Sequence, residues 1–96
     1  MAYQILIVDD EPALQRMVQE ILIRAGYAVT AALSCIQAME RFCTTKPDAV
    51  LLDVMLPDGD GFSLLGKLRE IRDVPVLFLS ARDEDEARLR GLGHGA

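Results

Sequence analysis

The 96-residue chain has no long apolar run, no excess of basic charge and no cluster of metal-binding histidine and cysteine. Each absence removes a class of function. No apolar segment approaches the roughly 18 residues of a membrane span, and Met1-Ala2-Tyr3-Gln4 lacks the basic start of a secretory signal. The expectation is a cytoplasmic protein without a membrane partner. A formal net charge of −5 argues against this segment holding nucleic acid by itself, because duplex binding needs clustered Lys and Arg to displace counterions. The two cysteines, Cys35 and Cys43, form no Cys-x-x-Cys pair and have no neighbouring zinc ligand. Placed eight positions apart on one helix they sit roughly 12 Å from each other, too far for a disulfide. They are expected to be small buried apolar side chains. No Gly-x-Gly-x-x-Gly follows the first strand, and there is no repeat, linker or low-complexity tract.

What is present is an alternation of two kinds of apolar pattern. About half of the residues are apolar, enough for one packed domain and, at this length, too few for two. Gln4 to Val8 is a short β-branched run ending in three acids, the pattern of a strand covered on both faces. Leu14, Met17, Val18, Ile21, Leu22 and Ala25 recur at helical spacing, with Pro12 suited to the first turn and Gly26 to the stop, so a helix is predicted from about Pro12 to Ala25. Tyr27 to Ala32 carries a weaker strand signal. Ser34 with Gln37 forms a capping-box pattern that opens a second helix, with Ile36, Met39, Phe42 and Cys43 expected inward and an end by Lys46-Pro47. Ala49 to Leu52 is a third strand, stopping at Asp53.

Pro57-Asp58-Gly59-Asp60-Gly61 is dense turn chemistry, and Phe62 to Ile71 places Leu65, Leu68 and Ile71 at helical spacing. Val74 to Leu79 reads as a fourth strand with Pro75 near its start, followed by Ser80-Ala81-Arg82. Asp83 to about Arg90 could begin a fourth helix, its acids a solvated start, before the glycines around an incidental His94. Buried strands alternating with helices predict an open, doubly wound parallel α/β sheet, in which ligands bind beyond the carboxyl ends of the strands. Asp9, Asp10 and Glu11 follow the first strand, Asp53 the third and Ser80 the fourth.

Carboxylates held that close either share a proton or recruit a cation, and an all-oxygen set selects a hard ion such as magnesium. A carboxylate beside that ion can attack a phosphoryl group, which makes Asp53 the candidate nucleophile. Ser80 and the unobstructed backbone N–H of Ala81 would then bind phosphoryl oxygens. Each acid taken alone is equally well a solvated loop residue, or, for Asp10 and Glu11, a cap for the first helix. Their joint placement at three strand ends favours a site.

Ile5-Leu6-Ile7-Val8-Asp9-Asp10-Glu11, then Leu51-Leu52-Asp53-Val54-Met55-Leu56-Pro57 with Asp60-Gly61, then Phe78-Leu79-Ser80-Ala81-Arg82, resemble the three main signatures of the response regulator receiver family. The likeness spans the whole chain. It implies a flavodoxin-like sheet of order 2-1-3-4-5 and a regulatory phospho-acceptor that is no enzyme beyond its own phosphotransfer. It implies phosphorylation of Asp53 by a partner histidine kinase. Magnesium or manganese would be ligated by Asp10, Asp53 and the Met55 backbone carbonyl, with Asp9 reaching the ion directly or through water. Ser80 would be the switch hydroxyl. Met-Leu-Pro after Asp53, Ser-Ala-Arg after the fourth strand and the closing glycines look most like regulators joined to a winged-helix DNA-binding domain, so transcription is the expected output and DNA the partner of a domain outside this segment. A stand-alone or scaffold-type receiver is the alternative. A haloacid-dehalogenase-like phosphatase is disfavoured because Met55 stands where its second aspartate is needed. A calcium loop at Asp58 to Gly61 fails because Phe62 and Arg69 occupy ligand positions.

The sequence departs from the family in its last part. Residues 1–96 are expected to be a receiver incomplete at its carboxyl end, without the fifth strand, its lysine and aromatic switch, or the fifth helix. Lys46 and Lys67 cannot take the lysine's role, nor Tyr3 and Tyr27 the aromatic's. Two expectations follow: an exposed edge at the fourth strand that favours a homodimer or strand-swapped oligomer, and weak or uncoupled phosphorylation.

Overall fold

A computed structural model describes residues 3–79. Among these residues four strands form one parallel sheet: β1 (Gln4–Val8), β2 (Ala28–Ala32), β3 (Ala49–Asp53) and, after two short strands in the loop that follows, β6 (Val76–Leu79). Their order is β2-β1-β3-β6, the first four places of the predicted topology. The two short strands, β4 (Met55–Leu56) and β5 (Gly59–Asp60), pair antiparallel across Pro57-Asp58. The sequence marks Pro57 to Gly61 as a turn and Met55-Leu56 as part of the Asp53 signature, without the pairing between them. Three helices connect the sheet strands: α1 (Pro12–Arg24), α2 (Cys35–Thr45) and α3 (Gly61–Ile71). Among the described residues no helix is long and apolar enough to cross a membrane.

Alternation along the strands sorts the core into two sides. Leu6, Val8, Val50 and Leu52 point to one face and pack with Ala38 and Phe42 of α2 and Leu64 and Leu68 of α3. Ile5 and Ile7 point to the other face, on the side of α1. The inward faces of the helices differ from the expected ones. In α2 the packed set is Cys35, Ala38, Met39 and Phe42, while Ile36 is 74% exposed and Cys43 is exposed. Cys35 is half-buried, so neither cysteine is the fully buried side chain expected. In α3 Leu64 replaces Ile71, which is exposed; in α1 Met17, Ile21 and Ala25 are exposed and Leu14, Val18 and Leu22 are half-buried. Apolar residues wrap around more than one face of each helix, and spacing alone does not choose among them.

Local chemistry sets the ends of the helices. The Ser34 hydroxyl accepts the Gln37 N–H at 3.2 Å, and the Gln37 side chain returns a bond from the Leu33 N–H at 2.9 Å. This is the predicted box, displaced by one residue on its return arm. Past α1, Gly26 takes φ 100° while its N–H and that of Tyr27 bond back to Ile23 and Leu22, satisfying carbonyls that the helix leaves open.

Candidate functional site

The carboxyl ends of β1 and β3 are adjacent because these strands pair directly, Ile7 with Leu51 and Val8 with Leu52. Asp9 continues the ladder past β1, its N–H donating to Ala32 O at 3.0 Å, and is fully buried. Its Oδ1 accepts the Glu11 N–H at 2.8 Å. This turn leads into α1, whose cap residue Glu11 makes no side-chain capping bond. The Glu11 side chain is therefore not what begins the helix; the bond from the Glu11 N–H to Asp9 Oδ1 and Pro12 in the first turn set its start. Asp10 follows and is exposed, while Asp53 closes β3 and is only 3% exposed.

One oxygen from each of Asp9, Asp10 and Asp53 lies within 4.8 Å of the other two. The three acids predicted to converge do so. Three carboxylates at that spacing, two buried and one reaching solvent, suit a hard divalent cation that keeps part of its water shell. Met55 stands two residues past Asp53 at the start of β4, and because its thioether is a soft donor unsuited to a hard cation, only its backbone carbonyl is a candidate ligand. Ser80 and Ala81, with the segment from Asp83, lie outside the described residues.

Two further residues support the site: Gly61, which stands in the sequence signature without an assigned role, and Gln15, which the sequence reading passes over. Gly61, first residue of α3, donates its N–H to Val54 O at 2.7 Å, and a Cβ there would overlap the Asp53 carbonyl oxygen and come within 3.1 Å of Phe78. It lets α3 start hard against the end of β3. Gln15, a polar residue inside the apolar stripe of α1, is buried and bonded to carbonyls of both β1 and β2. Nothing along the chain announces these long-range partners.

Residues 5–96 match the family described as the response regulator receiver domain. The chain belongs to the response regulator receiver family. It is 44% identical over 95 residues to the transcriptional regulatory protein TrcR of Mycobacterium tuberculosis, covering 97% of this chain and 37% of that protein. It is 36% identical to the transcriptional regulatory protein KdpE of Staphylococcus aureus, covering all of this chain and 42% of that protein. The chain thus spans about two fifths of the length of these curated relatives. Among solved structures, the non-phosphorylated HemR receiver domain of Leptospira biflexa aligns with TM-score 0.80 and 36% identity, covering 98% of this chain and 77% of that one. The BeF3-activated receiver domain of Klebsiella pneumoniae RstA aligns with TM-score 0.82 and 32% identity, covering 97% and 80%. As a receiver domain of two-component response regulators, the chain has the fold and motifs of phosphorelay signalling, and its acid cluster lies where that fold gathers ligands.

Proposed function

We propose that this receiver accepts a phosphoryl group on Asp53 from a sensor histidine kinase, in a reaction that requires Mg²⁺ or Mn²⁺. The convergence of the Asp9, Asp10 and Asp53 oxygens within 4.8 Å carries this reading. Asp10 and Asp53, the Met55 carbonyl and Asp9 would hold the ion. When bound, it supplies positive charge to the phosphoryl oxygens during transfer. An Asp53 oxygen forms the new O–P bond as the donor's P–N bond breaks, and the departing imidazole takes a proton from water. Burial of Asp53 limits access of water to the acyl phosphate. Ser80 and the Ala81 N–H would receive the phosphoryl oxygens.

The test is intact-mass measurement after incubation with acetyl phosphate. One phosphoryl adduct is expected with Mg²⁺ present, and none with EDTA or in Asp53→Asn. An adduct of equal yield in Asp53→Asn would defeat the assignment. For the whole protein, control of transcription in the cytoplasm is the output that TrcR and KdpE suggest. Self-association through β6, one of the two outer strands of the described sheet, completes the proposal; sedimentation velocity across a concentration series checks it.

A further inference from the structure

Gln15 is the one fully buried residue of α1, at 3% exposure, in a position where a leucine would cover the sheet as well. Its Nε2 lies 3.0 Å from Ile7 O, 3.1 Å from Asp9 O and 2.9 Å from Ala32 O. Two hydrogens are thus shared among three carbonyls at the ends of β1 and β2. The Gln15 Oε1 accepts from Gln19 Nε2 at 3.1 Å, which fixes the orientation of the amide. A buried amide carries a desolvation cost that an apolar side chain avoids, and here its donor bonds go to backbone carbonyls of Ile7, Asp9 and Ala32, the last of which also accepts the Asp9 N–H.

Asp9 is consequently gripped at three points. Its N–H is tied to Ala32 O, its carbonyl to Gln15 and its Oδ1 to the Glu11 N–H. With both backbone groups fixed, its carboxylate has little freedom to turn from Asp10 and Asp53. Because the grip is a neutral amide, it orients the acids without adding positive charge that would compete with a cation.

We propose that Gln15 is a positioning residue that presets Asp9 and thereby tightens the centre's hold on a divalent cation. This rests on the cation-dependent reading of the acid cluster. The experiment is Mn²⁺ binding to the unphosphorylated chain by electron paramagnetic resonance, at a temperature where circular dichroism shows every variant folded. Gln15→Met, which keeps the length and removes the donor, is expected to raise the Mn²⁺ dissociation constant about tenfold. In acetyl phosphate labelling, the half-saturating Mg²⁺ concentration should rise in parallel while the rate at saturating Mg²⁺ is retained. A merely structural role would instead lower the urea midpoint in EDTA and leave the dissociation constant unchanged, and that result overturns the proposal. Should Gln15→Met fail to fold, Gln19→Leu removes the donor that steadies the Gln15 Oε1 and is expected to weaken Mn²⁺ binding by about threefold; unchanged affinity there also overturns it. Asp10→Asn separates the two readings. If it leaves Mn²⁺ binding intact, the cation site itself is wrong and Gln15 falls with it; if it abolishes binding while Gln15→Met and Gln19→Leu do not weaken it, Gln15 alone is wrong.

Discussion

The carboxylate of Asp58 accepts the backbone N–H of Cys35 at 2.7 Å across 23 positions of chain, and that of Ile36 at 3.1 Å. The β4–β5 hairpin thus caps the start of α2, pinning the loop that leaves Asp53 to a helix on the same face of the sheet. Burial first, and then its bond to Asp58, push the Cys35 thiol above its ordinary range. Cys43 is exposed.

Thiol labelling should report this contact. Ellman's reagent is expected to modify Cys43 well before Cys35, since the thiolate is the reacting form. Asp58→Asn should speed labelling at Cys35 and leave Cys43 unchanged; equal acceleration at both would point to general loosening instead.

Acid should weaken the same corner. Backbone N–H groups hold Asp58 and Asp60 below the ordinary aspartate value of 3.8, the Cys35 N–H being the main cause for Asp58 and the Ser63 N–H for Asp60. A depressed folded value means the stabilisation is complete above 3.8 and is lost as the pH falls through the folded values. Both groups are at the surface, so the effect is small and screened by salt. Urea midpoints from pH 7 down to 3 should fall at the acid end, less steeply in the Asp58→Asn, Asp60→Asn double variant.

Gly61→Ala tests how tightly α3 abuts β3. Helix propensity alone favours alanine by about 1 kcal/mol. The overlap of a new Cβ with the Asp53 carbonyl should reverse that sign, costing about 1–3 kcal/mol in urea unfolding. Phosphoryl labelling at Asp53 should slow as well, because the carbonyl that must move belongs to the acceptor residue.

Leu52→Ala tests the core beneath the site. Leu52 is fully buried one residue before Asp53, and its truncation should cost about 2–5 kcal/mol by equilibrium urea denaturation. Since domains of this kind have only about 5–15 kcal/mol in total, part of the population should be unfolded on mild heating.

β1, β3 and β6 were legible because each was a continuous apolar run ended by a polar residue, whereas β2, interrupted by Thr30 and followed by Leu33, gave only a weak signal; Asp9, Asp10 and Asp53 were legible because those ends must share one rim. Ser34 and Gln37 declared α2 through a local pair of bonds. The phase of the helices was not legible: Ile36 and Ile71 are as apolar as Phe42 and Leu68, and only the position of the sheet separates them. The β4–β5 hairpin is too short to show any periodicity. Gln15 and Asp58 escaped because the partners that explain them are backbone groups of other elements, brought into reach only by the fold. Cys43 was misjudged from the general preference of cysteine for the interior, on a helix whose inward face lies elsewhere.

The pairing of Ile7 with Leu51 has a kinetic consequence. A helix, a strand and another helix intervene between the two halves of the acid cluster, so its oxygens meet only once this long-range pairing is complete. A cation bound there would therefore act late in folding, slowing escape from the native state far more than it hastens arrival. Magnesium would then be a clasp on the lifetime of the sheet as well as a participant in its chemistry.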